Sequence, residues 1–400
     1  MNLGNTSEEY DVAIVGAGPA GLFLADKLRD LNIIVLEEHK EVGKPLHCAG
    51  LLSLRGLRRI SFTPRRSVQN KVRGAIFFSP SGLKLQVERP REEAVVVDRS
   101  IFDKELAEKV SDYIKLETKV LGASRKNGFW LLKTKKGVIR SKILVDAEGF
   151  RYSLSSSLGF RKPPENMLFP AIQADVEGVS GINQDLVEVY VGRRWAPGFF
   201  AWIIPLSDDE ARVGLAAEKL PLVYLRNFMN KHPIASKKFR KARIRRFFGG
   251  RVVASGIYGR ITGKNLLLIG DVAGQTKPTT GGGVIYSALA AQIASSIIKK
   301  ELSQKSKELN LKEYERTWRR LFGKELFLMK IARIFMTQIS DKNYDRIFKE
   351  MKKMGFESIA EKEGDIDFQY RVLKKIIAAP PLYTPQIPEL FIAFVKALLT

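Results

Sequence analysis

The sequence has little cysteine, little histidine and too few acids for its bases. One cysteine, Cys48, excludes an internal disulfide framework and a four-cysteine iron–sulfur site. With three histidines, neither a zinc-ligand spacing nor a Ser-His-Asp arrangement can be written. No stretch reaches the roughly 18 uninterrupted apolar residues of a membrane-spanning helix. The opening residues, MNLGNTSEEYDVAIVGAGPAG, have no basic segment ahead of the apolar run, so that run reads as a buried strand and not as a signal peptide. A reducing, cytoplasmic setting is the expectation. Internal repeats and low-complexity tracts are also lacking.

Acidic residues number 43 against 67 Lys plus Arg, a net charge of +24. Such a field attracts nucleic acid, anionic membrane surfaces or anionic substrates, unless it reflects a uniformly basic proteome. No DNA- or RNA-binding motif accompanies the charge, so no nucleic-acid partner is expected. Part of the excess is local: SKKFRKARIRRFFGGR, residues 236 to 251, holds eight basic residues and no acid.

What is present begins with YDVAIVG at 10–16, an apolar strand ending in glycine, then a helical pattern at 20–30 and a second strand, IIVLEE, at 33–38. The turn between them is Gly16-Ala17-Gly18-Pro19-Ala20-Gly21. Gly16 permits the tight turn, Gly18 lets a pyrophosphate approach the backbone, and Gly21 allows the helix to pack closely on the strand. The helix start offers free N–H groups and a positive dipole end to phosphate. Glu37, at the end of the next strand, is placed to accept hydrogen bonds from an adenosine ribose. Metal ligation is not expected.

A second constellation lies 250 residues on. NLLLIGDVAG at 265–274 is a buried strand ending at Gly270-Asp271, followed by Pro278 and the run Gly281-Gly282-Gly283 opening a helix. An aspartate there can hold a ribityl hydroxyl, and the glycines let backbone N–H groups approach a flavin edge. A plain NAD enzyme does not need this second site, so the cofactor is expected to be FAD. A third motif, VDAEGFRYSLSSSLG at 145–159, places Asp146, Gly149 and Ser153 after another strand. Residues 168–219 are β-rich, 222–245 helical and basic, and the last hundred residues helical, with a break near Pro380.

These three motifs, in this order, resemble the FAD enzymes related to aromatic hydroxylases. KPLHCAGLLS (44–53), FFAWIIP (199–205) and GDVAGQTKPTTGGGVIYSALAA (270–291) narrow the resemblance to the geranylgeranyl reductase family, over about residues 10–300. The resemblance implies that Ala20 lies by the pyrophosphate and that Cys48, Ala49 and Gly50 form a loop beside the flavin. It further implies that Arg99 meets the phosphates or ribityl chain, that Ala123 touches adenine, and that Asp271, Gly283 and Val284, with Gly282, hold the ribityl and ring portions. Phe200 and Trp202 share one face of a strand. They either wall an apolar tunnel to the flavin or pack the core. Cys48 either shapes the ring environment and relays a proton, or is a small buried hydrophobe. Catalytic work is assigned to Cys48, Phe200 and Trp202.

The expected architecture is α/β. A doubly wound, Rossmann-like FAD domain (1–160 and 255–300) is interleaved with a β-rich substrate domain (161–254) and followed by a helical C-terminal region (301–400). The expected function is reduction of carbon–carbon double bonds in geranylgeranyl chains of membrane-lipid precursors. Its electrons would come from NAD(P)H or a small electron-transfer protein. Flavin-dependent monooxygenation or halogenation, and an electron-carrying membrane flavoprotein, are the alternatives. Peripheral attachment to anionic membranes is expected through Lys237–Arg251 and through PELFIAFVKALLT at 388–400, whose Leu390, Phe391, Phe394, Val395 and Leu398 fall on one helical face.

Overall fold

The computed structural model describes residues 9–304, 309–377 and 387–399. An eight-stranded sheet forms the first layer. At its centre, Glu9–Val15 pairs in parallel with Ile33–Leu36 on one side and Gly137–Asp146 on the other. Val12, Ile14, Val35, Ile143 and Val145 are buried, as the strands of a parallel sheet packed on both faces are. The chain leaves Glu9–Val15 toward one neighbour and later returns to the other. The glycine turn therefore opens at a topological switch point, where doubly wound sheets bind ligands. Leu266–Leu268 extends the sheet beside Gly137–Asp146 after an excursion of more than a hundred residues.

That excursion builds a seven-stranded sheet with the order Arg243–Val253, Leu168–Glu177, Glu210–Ala216, Phe200–Pro205, Leu186–Val191, Gly74–Phe78, Lys84–Glu88. The last two strands come from outside 161–254, so the second layer draws on an earlier hairpin. Gly74–Phe78 joins by parallel pairing with Leu186–Val191, a long-range match that local patterning does not announce. A three-stranded sheet of Leu51–Ser53, Ala94–Val97 and Val68–Val72 is built from the chain on either side of the Gly74–Glu88 hairpin.

The helix expected over 222–245 is shorter. Pro221–Lys231 and Ala235–Lys238 are helical, and Arg243–Val253 is an edge strand of the second sheet. Its Phe, Ile and Val content suits a pleated surface. For four of the eight basic residues of the run 236–251, acids are supplied by neighbouring elements. Arg245 pairs with Glu210, Arg246 with Asp98 and Asp175, Lys238 with Glu188, and Arg251 with Glu165. The C-terminal region is helical, led by Lys312–Gln338, whose Trp318, Phe322, Leu326 and Met329 seal the first layer. Pro380 lies outside the described residues. Ile387–Leu399 packs on Lys312–Gln338 through Ala393, Ala397 and Leu390. Leu390 is thus turned to protein, while Ile392 and Phe394 stay 42% and 43% exposed.

Candidate functional site

One cavity of about 530 Å³ runs from the glycine turn to the second sheet. Its first end is shaped by close backbone approach. Gly16 has φ +105°, and a methyl there would stand 2.5 Å from Ala147 O. Gly21 lies behind the cavity wall, where a methyl would overlap Gly16 O and sit 3.2 Å from Ile14 Cγ2. Gly18 is extended, with φ −79° and ψ 178°, and a methyl on it would meet no protein atom within 4 Å. The three glycines thus divide into two that hold the turn and one that faces open space. Pro19 opens the helix Pro19–Lys27, whose first N–H groups have no side-chain cap.

Glu37 is anchored on both oxygens. Oε2 accepts from Ala17 N–H at 2.8 Å, and Oε1 accepts from His39 N–H at 2.9 Å. The carboxylate therefore braces the glycine turn itself and keeps further lone pairs for a ligand. Glu38, His39, Thr118, Lys119 and Val120 complete this end. Ala123 does not reach it. The strand Val120–Lys126 enters the lining only at its first residue, and three residues of extended chain carry Ala123 about 10 Å further along. Asp146 also stays out of the lining. Its Oδ1 accepts from Glu148 N–H at 3.0 Å, and burial, with the Glu148 charge beside it, holds its carboxyl well above the usual range. Gly149 and Ser153 do line the cavity.

At the middle stand Arg99, Asp271 and the Cys48 loop. Arg99 pairs with Asp103 through two nitrogens at 2.9–3.0 Å, one helical turn away. Asp271 follows the strand Leu266–Leu268, with Oδ1 2.8 Å from the position a Gly283 methyl would take, so only glycine fits there. Enclosure by protein pushes its carboxyl up to about 6, against the pull of the Arg99 charge. Ala20, Gly282, Gly283 and Val284 share this wall.

Cys48, Ala49 and Gly50 line the cavity as a loop held by the second sheet. Gln173 Nε2 donates to His47 O at 3.0 Å, His47 Nδ1 lies 2.7 Å from Gly249 O, and Arg212 Nη1 donates to Ala49 O at 2.8 Å. Arg212, 1% exposed, is itself fixed by Asp175 at 2.7 Å. The far end is apolar: Val187, Val189, Phe199, Phe200, Trp202 and Ile204. Phe200 and Trp202 meet edge to face at 5.9 Å, and Gly214 on the next strand leaves room for the indole.

Sequence reasoning missed Gln173, Arg212, Lys277 and Arg333. Arg333 is fully buried on Lys312–Gln338 and donates to the carbonyls of Pro278, Thr279 and Gly198, with Phe199 against its guanidinium at 4.0 Å. Burial pulls its pKa down to about 10. Arg333 thereby ties the loop ahead of Gly281 to the aromatic wall. No local pattern marks such a residue.

A dinucleotide fits the lining. Gly18 faces open space, Glu37 stands one strand over, and the Asp271–Gly283 approach leaves no room for any side chain on Gly283. No protein-family model matches the chain. A digeranylgeranylglycerophospholipid reductase of Methanocaldococcus jannaschii is 29% identical over 395 residues, covering 94% of this chain and 96% of that protein. An uncharacterized protein of the same organism is 28% identical over 375 residues, covering 92% and 95%. A solved geranylgeranyl bacteriochlorophyll reductase-like protein from Thermoplasma acidophilum superposes with a TM-score of 0.83 at 23% identity, covering 96% of this chain and 100% of its own. A flavin-dependent brominase superposes with a TM-score of 0.72 at 18% identity, covering 93% and 98%. At that identity the likeness shows the fold alone.

Fold, cavity and relatives together define an FAD-dependent oxidoreductase. Within that class the chain is similar to the geranylgeranyl reductases.

Proposed function

We propose that this protein saturates carbon–carbon double bonds of geranylgeranyl chains on membrane-lipid precursors. The observation that carries the reading is the continuity of the cavity, which joins a dinucleotide turn at one end to an uncharged wall of Val187, Val189, Phe199, Phe200, Trp202 and Ile204 at the other. An isoprenoid chain has no polar group to satisfy, and such a wall holds it by area alone. The similarity to the digeranylgeranylglycerophospholipid reductase of Methanocaldococcus jannaschii supports the same substrate class.

FAD, when bound, supplies the hydride that saturation requires. The chain's own residues bind and orient. The helix start after Gly18 takes the pyrophosphate, Glu37 the ribose and Asp271 the ribityl chain. Arg99, paired with Asp103, borders the middle of the site. Phe200 and Trp202 set the alkene against the ring and exclude water. Cys48 borders the same space and relays a proton or shapes the ring environment. No second glycine fingerprint is present, so NAD(P)H docks transiently or a small electron-transfer protein supplies the electrons.

Among the described residues no helix is long and apolar enough to cross a membrane. Peripheral attachment is part of the proposal, because the substrate chain must leave a bilayer. Lys237, Arg240, Lys241 and Arg243 have no carboxylate within ion-pair distance among the described residues. Ile244 and Phe247 beside them are 45% and 46% exposed.

The test is anaerobic reduction with dithionite in the presence of a panel of geranylgeranyl lipids, read by mass. A gain of two mass units per bond supports the proposal. No gain with any lipid, together with oxygen-dependent hydroxylation or halogenation of another substrate, overturns it.

A further inference from the structure

We propose that the Lys277–Asp367 ion pair sets the charge presented to the ring end of the cofactor, and that the C-terminal region controls it by supplying Asp367. This rests on placing the flavin ring against Gly281–Val284.

Lys277 lines the cavity between Asp271 and the Gly281–Gly283 run. Its side chain lies across Gly282, with Cε 2.5 Å from where a methyl on Gly282 would stand. Its ammonium donates to Asp367 Oδ1 at 2.7 Å and to Ile366 O at 3.0 Å. Both side chains are nearly closed to solvent, at 8% and 3% exposure. Asp367 belongs to a short segment of the C-terminal region that crosses the cavity rim, where Ile366 joins the lining.

The segment is fixed from several sides. Thr279 Oγ1 donates to Gln369 Oε1 at 2.7 Å, and Tyr286 OH donates to Asp367 O at 3.1 Å. Asp365 Oδ1 accepts from the N–H groups of Asp367 and Phe368, and the Arg59 guanidinium stacks over the Phe368 ring at 4.4 Å. Asp367 Oδ2 is buried without a hydrogen-bond partner, against Gly56. Lys277 is the sole cation in ion-pair contact with Asp367 among the described residues.

A pair of this kind is close to neutral as seen from the cavity. Removing one partner unmasks the other in a poorly screened site, where charge interactions reach far. The reduced cofactor is the more electron-rich state, so an unmasked Lys277 favours it and an unmasked Asp367 disfavours it. A residue that only packs the rim would shift the cofactor in one direction whichever partner was removed.

The experiment is an anaerobic redox titration of the FAD-loaded full chain, read by absorbance with no substrate present. Asp367→Asn is expected to favour the reduced over the oxidised cofactor about tenfold relative to the native protein, equal to about +30 mV for a two-electron couple. Lys277→Met is expected to shift the ratio about tenfold the other way. The double variant, with neither charge, returns to within about threefold of native. Equal signs for the two single variants, or no shift in either, overturn the proposal. If a single variant fails to retain FAD, the double variant decides. It must bind FAD with a near-native potential, and failure to do so also overturns the proposal. The titration needs no lipid, so its outcome is independent of whether geranylgeranyl chains are the substrate.

Discussion

Gly18 and Gly21 are three residues apart in one motif, and the structure gives them opposite duties. At Gly18 an added methyl meets no protein atom within 4 Å, and the backbone is in an extended conformation open to any residue. Gly18→Ala therefore leaves the cofactor-free protein within about 0.5 kcal/mol of native stability. The methyl then stands in the space assigned to the pyrophosphate, and relieving that overlap costs about 1–3 kcal/mol. FAD affinity falls by about five- to 150-fold. At Gly21 the methyl would overlap the carbonyl oxygen of Gly16 and press on Ile14 Cγ2 at 3.2 Å. The helix must then lift off its strand, so Gly21→Ala loses about 1–3 kcal/mol before any cofactor is added. Thermal melting of the apoproteins and fluorescence titration with FAD separate the two. Native FAD affinity in Gly18→Ala would refute the placement of the cofactor. A native melting temperature in apo Gly21→Ala would refute the packing argument.

Other outcomes follow from the same geometry. Asp271 has a folded pKa near 6, above the ordinary 3.8. Its contribution to apoprotein stability is thus full below about pH 3.8 and is lost as pH rises through about 6. FAD binding, which uses the ionised carboxylate, should strengthen over the same window, and both pH dependences should flatten in Asp271→Asn. Trp202→Phe keeps most of the buried area and should raise KM for long prenyl chains several-fold while FAD affinity stays within about twofold, measured by steady-state kinetics and FAD titration; parallel loss of both would assign Trp202 to packing. Co-sedimentation with anionic vesicles should appear at low salt, weaken at high salt and drop in a Lys237/Arg240/Lys241/Arg243→Gln variant, each charge being worth about 1 kcal/mol near the surface. No sedimentation of the native protein at low salt would remove the membrane claim.

What was legible in the sequence was what is local. The strand, glycine turn, helix and second strand at 10–38 are specified by neighbours within thirty residues, and Glu37 follows from strand length alone. Asp271 and the triple glycine were legible because a strand end and a helix start adjoin there. Hidden features depend on distant partners. The basic run at 236–251 reads as unbalanced charge, yet Glu165, Asp175, Glu188 and Glu210 sit opposite it. Gly74–Phe78 gives no sign that its partner is Leu186–Val191. Arg333 and Asp367 lie in a helical region whose sequence resembles an ordinary charged surface. Their burial is decided by the packing of Lys312–Gln338 and of the segment 365–369 onto the cofactor loop.

The dependence of the site on both sheets can be tested at Arg212. This residue sits on the second sheet, and its guanidinium joins Asp175 to the carbonyl of Ala49, next to Cys48 in the cavity wall. In Arg212→Met, Asp175 keeps Arg246 at 2.7 Å, so its charge is not stranded. The loss should then fall below the roughly 3–5 kcal/mol of a fully orphaned buried pair. What has no substitute is the grip on Ala49 O. Gln173 and Gly249 still hold His47, and Val97 N–H still donates to Gly50 O, but Ala49 between them loses its hydrogen-bond donor and Cys48 gains freedom. The protein has one cysteine, so its rate of reaction with a thiol reagent reports on this loop alone. The variant should react at least about tenfold faster than native at equal pH, with a melting temperature lowered by only a few degrees, and added FAD should slow it. A native reaction rate in a folded Arg212→Met protein would show that the Arg212 contact to Ala49 O does not hold the Cys48 loop.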